Sequence, residues 1–302
     1  MSTESDSPDL LAEELGAVLA QTPYRPLRRL GRGGMGDVYV VEHRVLRRQF
    51  VLKVLRARLA DDPQLVDRMR MEAQAAARLD HPNIVEVVDF FSAEGGRPCM
   101  VMELLNGSTL ASELRERGKL PVDEAVGHAR ELLAALAAAH ALGVVHRDVK
   151  PENLFLHRQT AARRVLKVLD FGLARVLSSS PGAIRPLALP TGTGTIIGSP
   201  RFMSPEAARG QRVDHRADIY SAGLVLYVML TGRGPFDHAL PNETFSIVPD
   251  PPSLHAGYAA PTMLDEAVLT SLKSNPDERF QNAFAFARAL EEALPVSVRG
   301  TS

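Results

Sequence analysis

The chain has 302 residues, 45% apolar and 24% charged, enough to bury the core of one large domain or of two lobes. Its 35 basic and 36 acidic side chains leave a net charge of −1, which excludes a global pull toward nucleic acid or an anionic membrane. A single cysteine, Cys99, excludes an intramolecular disulfide and fits a reducing compartment, so a cytoplasmic protein is expected. The N-terminus is acidic and polar, unlike a secretion signal. The most apolar stretch, residues 132–145, is shorter than the ~20 residues a bilayer requires, so no membrane span is expected.

Residues 1–8 read as disordered, and 9–20 have helical spacing through Leu10, Leu11, Leu15, Val18 and Leu19. Pro23 and Pro26 break that pattern. A Gly-rich turn at 31–36 follows, then "DVYVVEHRV" and "QFVLKVL", which read as two strands of a hairpin around a basic turn. That turn, "HRVLRRQ" at 43–49, is a local basic run whose plainest reading is a solvated hairpin. Residues 61–79 read as a helix with Asp61 or Asp62 as N-cap and Pro63 in its first turn. "NIVEVVDFF" and "CMVMEL" are strand-like. Beyond them the pattern turns helical, over 121–142, 218–232 and 282–294. Residues 178–199, dense in Ser, Thr, Gly and Pro, and the Pro-rich 238–261 read as loops.

Four signals carry chemistry. Gly31, Gly33 and Gly36 form a G-x-G-x-x-G pattern that lets backbone approach phosphate oxygens. A strand follows it rather than a helix, which favours a glycine loop between antiparallel strands over a dinucleotide-binding turn. Lys53 sits among apolar residues in "FVLKVL", as an edge-strand solubility device or as a cation awaiting a partner, for which Glu72 is the candidate. "VVHRDVKPENLFL" sets Asp148, Lys150 and Asn153 within six positions. There Asp148 can take a proton from a hydroxyl, Lys150 can neutralise a phosphoryl group, and the Asn153 amide oxygen can hold a metal. "KVLDFGLAR" ends a strand on Asp170, a carboxylate suited to Mg²⁺.

In this order and spacing the four resemble the eukaryotic-like (Hanks-type) bacterial serine/threonine protein kinases over roughly residues 24–294. The resemblance implies an α+β bilobal fold. Its N-lobe, 24–105, would be an antiparallel sheet with one main helix. Its C-lobe, 106–295, would be mostly helical. A leader at 1–23, partly disordered with one candidate helix, and a tail at 296–302 would flank them.

The site residues it implies are these. The loop Gly31, Arg32, Gly33, Gly34, Met35, Gly36 would cover the ATP phosphates, and Val38 and Val51 would pack on the adenine. Lys53 would hold the α- and β-phosphates and pair with Glu72. Met102 would be the gatekeeper, with the backbone of Glu103 and Leu105 meeting the adenine edge. Asp148 would be the catalytic base, with Lys150 on the γ-phosphate. Asn153 and Asp170 would bind Mg²⁺, or Mn²⁺ in its place. His146 would be a packed core histidine. Glu206 would pair with Arg279, and Asp218 would brace the catalytic loop.

Arg147 beside Asp148 implies activation by phosphate in the 170–206 segment, at Thr191 and Thr193, with Ser199 in the substrate loop. Protein serine and threonine hydroxyls are the implied substrates, with self-association as the route to trans-autophosphorylation and no role for nucleic acid. Three features depart from the family pattern. Val51 stands where alanine is usual and narrows the adenine pocket. Ser199 replaces the usual threonine. The 236–262 stretch is short. Two alternatives are a nucleotide-binding pseudokinase scaffold and a small-molecule phosphotransferase. The intact Lys53, Glu72, Asp148, Asn153 and Asp170 oppose the first; "SPE" at 204–206 and Lys150 oppose the second.

Overall fold

The computed structural model describes residues 15–16, 18–32, 36–60, 62–93, 96–160, 163–170, 200–237, 247–257 and 262–294. They fall into two compact units, Met1–Asp80 with Val85–Asn106, and His81–Ile84 with Gly107–Ser302.

Alternating side chains build the first unit. Strands β1 (Tyr24–Arg32), β2 (Gly36–His43), β3 (Gln49–Leu55), β4 (Val87–Ser92) and β5 (Pro98–Glu103) form one antiparallel sheet in the order β1-β2-β3-β5-β4. Tyr39, Val41, Phe50, Leu52, Val54, Cys99 and Val101 point to one face and are buried there. With period two, Val38, Val51, Lys53 and Met102 lie on the other. A helical turn, α1, at residues 15–16 and 18–19 adds Leu15, Val18 and Leu19 to the buried cluster. The core therefore reaches upstream of residue 24, where the sequence suggested that the domain starts. A one-turn helix α2 (Ala57–Ala60) precedes α3 (Pro63–Ala76), which starts as its sequence dictates: the Asp62 carboxylate accepts from Gln64 N at 2.9 Å and Pro63 opens the first turn.

The second unit holds a small antiparallel sheet, β6 (Gly107–Thr109), β7 (Leu154–Arg158) and β8 (Arg164–Val168). Its helices are α4 (Leu110–Arg117), α5 (Val122–Ala141), α6 (Pro205–Ala208), α7 (Arg216–Thr231), α8 (Ser253–Ala256), α9 (Thr262–Ser271) and α10 (Ala283–Ala293). Helix α7 is apolar all round, and 13 of its 16 residues are buried, so it forms the axis of the core. Leu132, Leu136, Leu264, Val268, Phe286 and Leu290 from α5, α9 and α10 complete that core. Among the described residues no helix is long and apolar enough to cross a membrane.

Two expectations are corrected. Residues 81–84, placed by sequence in the N-lobe, belong to the second unit: Val168 N donates to Asn83 O (2.8 Å), and Asn83 Nδ2 to Leu166 O (2.9 Å). The 238–261 loop contains α8, held where Ser253 N donates to Asp265 Oδ1 at 3.1 Å. Residues 238–246, 258–261 and the 178–199 loop lie outside the described residues.

Candidate active site

The segment 144–153 runs from the end of α5 to β7 and contains a 3-10 turn, Pro151–Asn153. Asp218, in the first turn of α7 and 1% exposed, holds its start. Its Oδ1 accepts from Arg147 N (2.7 Å), and its Oδ2 accepts from His146 N (2.8 Å) and His140 Nε2 (2.8 Å). The brace earns its place, because Arg147 sits at φ +64°, a conformation that costs a side-chain-bearing residue roughly 1–2 kcal/mol.

His146, fully buried, is a two-sided tie. Its Nδ1 accepts from Asp148 N at 3.2 Å and its Nε2 donates to Leu169 O at 3.0 Å, which calls for the neutral Nε2–H tautomer. Leu169 N donates in turn to Asn153 O at 2.8 Å. Leu169 is thus clamped on both sides, and this fixes Asp170, at φ +38°, beside the 146–153 loop.

The loop's polar side chains converge on one oxygen. Lys150 Nζ (2.7 Å) and Asn153 Nδ2 (2.9 Å) both donate to Asp148 Oδ2, and Asn153 Nδ2 also reaches Asp148 O (2.9 Å). Asp148 is half exposed, and its Oδ1 carries no hydrogen bond among the described residues. The Asn153 bonds use the donor half of its amide, so the acceptor half, Oδ1, is the part suited to a cation. Asn153 and Asp170 offer an amide and a carboxylate oxygen, a donor set that fits a hard divalent ion completing its shell with phosphate oxygens and water. Among the described residues no group of three His, Cys, Asp or Glu side chains forms a closed metal cage.

Behind the loop, Arg279 (3% exposed) meets Glu206 (5% exposed) through two bonds of 2.8 and 2.7 Å. Burial alone would raise the Glu206 carboxyl, but the guanidinium bonds outweigh it and hold it below the usual carboxylate range. Arg279 also lies over the Tyr220 ring at 4.8 Å.

In the first unit, strand register gathers another set. Gly31 pairs with Val38, Val38 with Lys53, and Lys53 with Met100; in the next row Val40, Val51 and Met102 are successive partners. Val38, Val51, Lys53 and Met102 therefore share one face. A Cβ on Gly36 would lie 2.6 Å from Val54 O, so the close approach of β2 to β3 demands glycine there. A Cβ on Gly31 would meet nothing within 4 Å, so packing among the described residues gives no reason for glycine at 31. Glu103 N donates to Glu86 O (3.0 Å), so any backbone bond from Glu103 to a ligand falls to its carbonyl. Arg32 ends β1, and Leu105 lies just beyond β5. Gly33, Gly34, Met35, Thr191, Thr193 and Ser199 lie outside the described residues; Glu72 is placed in α3 by its backbone.

His140, a half-buried histidine near the end of α5, supplies the third bond to Asp218 from 78 positions away, a bracing role that no sequence motif marks. Its only sequence signal is a polar ring on the otherwise apolar end of α5.

The comparisons agree with this geometry. The protein kinase domain family matches residues 24–275. The serine/threonine-protein kinase Pkn1 of Myxococcus xanthus is 39% identical over 279 residues, 91% of this chain and 39% of that protein. The serine/threonine-protein kinase PknB of Mycobacterium tuberculosis is 41% identical over 262 residues, 84% of this chain and 40% of that protein. The chain thus spans about two fifths of the length of these curated relatives. The crystal structure of the Mycobacterium tuberculosis PknI kinase domain matches with a TM-score of 0.69 at 28% identity, over 90% of this chain and 96% of that one. The chain belongs to the protein kinase family, in its bacterial serine/threonine (Hanks-type) branch.

Proposed function

We propose that this chain transfers the γ-phosphoryl group of ATP to serine and threonine hydroxyls of proteins. One observation carries the reading: Lys150 and Asn153 both donate to Asp148 Oδ2, so Oδ1 of a half-exposed, oriented carboxylate faces the incoming hydroxyl. The substrate oxygen bonds to the γ-phosphorus, the bond from that phosphorus to the β–γ bridging oxygen breaks, and Asp148 takes the hydroxyl proton. Lys150 neutralises charge spreading over the phosphoryl oxygens. Asn153 and Asp170 hold Mg²⁺, which when bound screens the phosphate charge. The chain's part is to position groups and prearrange charge, and the ties through Asp218 and His146 serve that end.

Lys53, with Glu72 as its partner, takes the α- and β-phosphates in this reading. Val38, Val51 and Met102 line the adenine, and Gly31 is glycine so that phosphate can approach. Phosphorylation of Thr191 and Thr193 through transient self-association activates the enzyme, with Arg147 as the phosphate's partner. Cytoplasmic action is supported by the single cysteine, Cys99, which leaves the chain no intramolecular disulfide.

Intact mass after incubation with Mg²⁺ and ATP tests the reading, beside Asp148→Asn. The wild type gains phosphoryl groups and the variant does not. ATP binding without phosphate on either chain, or on a generic protein substrate, would support a nucleotide-binding scaffold instead.

A further inference from the structure

The basic run at 43–49 is absorbed by nothing above. It forms the turn between β2 and β3, and every residue from 44 to 48 is exposed. Val45 is 80% and Leu46 66% exposed, in a position where turns are ordinarily polar. The turn is ordered: His43 N donates to Arg48 O (2.9 Å), Arg47 N to His43 O (2.9 Å), and Leu46 N to His43 Nδ1 (3.1 Å). The His43 ring stands edge-on to Tyr24 at 5.5 Å, which anchors the turn to the sheet.

Two choices at this tip work against stability. Two aliphatic side chains are held in water, and Arg47 occupies φ +55°, where glycine or asparagine costs less. What those choices supply is charge around an apolar point. Residues 24–48 carry seven arginines against two carboxylates, in a chain whose net charge is −1. Glu42 is shared by Arg25 and Arg47. Arg44 meets the Tyr24 carbonyl and Arg48 lies over the Phe50 ring, and neither contact cancels a charge.

We propose that this turn anchors the protein to anionic phospholipid surfaces, with Val45 and Leu46 entering the headgroup boundary and Arg44, Arg47 and Arg48 meeting lipid phosphates. Size and shape decide against other anionic partners. Two aliphatic side chains on a turn cannot supply the roughly 800 Å² per partner of a stable protein interface. The tip has no aromatic ring on which a nucleic-acid base could stack. Membrane-surface binding needs only a few apolar side chains with basic neighbours, and a preformed turn loses little freedom on entering.

Co-sedimentation of the full chain with vesicles of phosphatidylcholine, alone or with phosphatidylglycerol, tests this. Binding is expected on the anionic vesicles only, weakening as salt rises. Arg44→Gln with Arg48→Gln should weaken it by about 25-fold, about fivefold per arginine. Val45→Ser with Leu46→Ser should weaken it by about tenfold or more. Both pairs should leave the circular dichroism spectrum and autophosphorylation in solution unchanged. Equal binding to both vesicle types, or no loss in the arginine pair, overturns the proposal. So does full binding by the serine pair with competition by polyglutamate, which would mark a site for acidic protein segments instead.

Discussion

Asp218→Asn is the sharpest probe of how this fold holds its catalytic loop. The carboxylate is 1% exposed and takes three donors on two oxygens. An amide has one acceptor oxygen, so at least one donor must lose its partner. The least costly arrangement keeps the oxygen toward His146 N and His140 Nε2 and turns the NH₂ toward Arg147 N. An orphaned buried N–H costs about 1–3 kcal/mol, and the two surviving bonds lose their charge assistance. The sum is about 3 kcal/mol, or about 6–12 °C in melting temperature for a domain of this size. The released residue is Arg147, at φ +64° and adjacent to Asp148, so the carboxylate shifts as well. A displacement of about 1 Å should lower kcat about 100-fold. KM for ATP should change far less than kcat, because Lys53, Val51 and Met102 belong to the other unit. Calorimetry and initial rates on a peptide substrate read both effects. A variant that melts and turns over like the wild type would refute the claim that Asp218 sets the loop's geometry.

Two further outcomes follow from particular contacts. Glu206→Gln leaves Arg279 buried without its counter-charge and should cost about 3–5 kcal/mol at neutral pH. Because the Glu206 carboxyl is held low in the folded protein, its contribution is complete above the unfolded value of about 4.3 and is lost as pH falls through the folded one. Urea midpoints should therefore converge for wild type and variant in acid but keep a constant gap from about pH 5 to 7; a gap unchanged down to the acid limit counts against the pairing. Val51→Ala trims the side chain paired with Met102 on the proposed adenine face and should lower KM for ATP about fivefold with kcat unchanged, whereas a higher KM would make Val51 a favourable contact.

Much of the site could be read in the sequence because its parts are local. Asp148, Lys150 and Asn153 lie within six positions, so their spacing alone brings them together, as it does for the cap at Asp62 and the β2–β3 pairing. What escaped depends on pairs far apart. His140 reaches Asp218 across 78 positions, and Asn83 reaches Leu166 across 83, through groups that carry no periodicity. Glu206 and Arg279, 73 apart, were legible only through the family resemblance. Arg164 bonds both Glu113 (2.8 Å) and Glu124 (3.0 Å), 51 and 40 positions away, with no sequence signal that pairs them. A one-turn helix such as α8 is set by a tertiary contact to Asp265, and its four residues leave no pattern to read.

The start of the matched kinase domain runs through a hydrophobic core. The family match begins at residue 24, yet Leu15, Val18 and Leu19 are 1%, 5% and 1% exposed among Tyr39, Leu52 and Val101. A boundary drawn by likeness alone would strip this cover and hand a strip of aliphatic and aromatic side chains to solvent. The segment upstream of the shared domain thus acts as a built-in tenant of the sheet, and any outside protein seeking that face must first evict it.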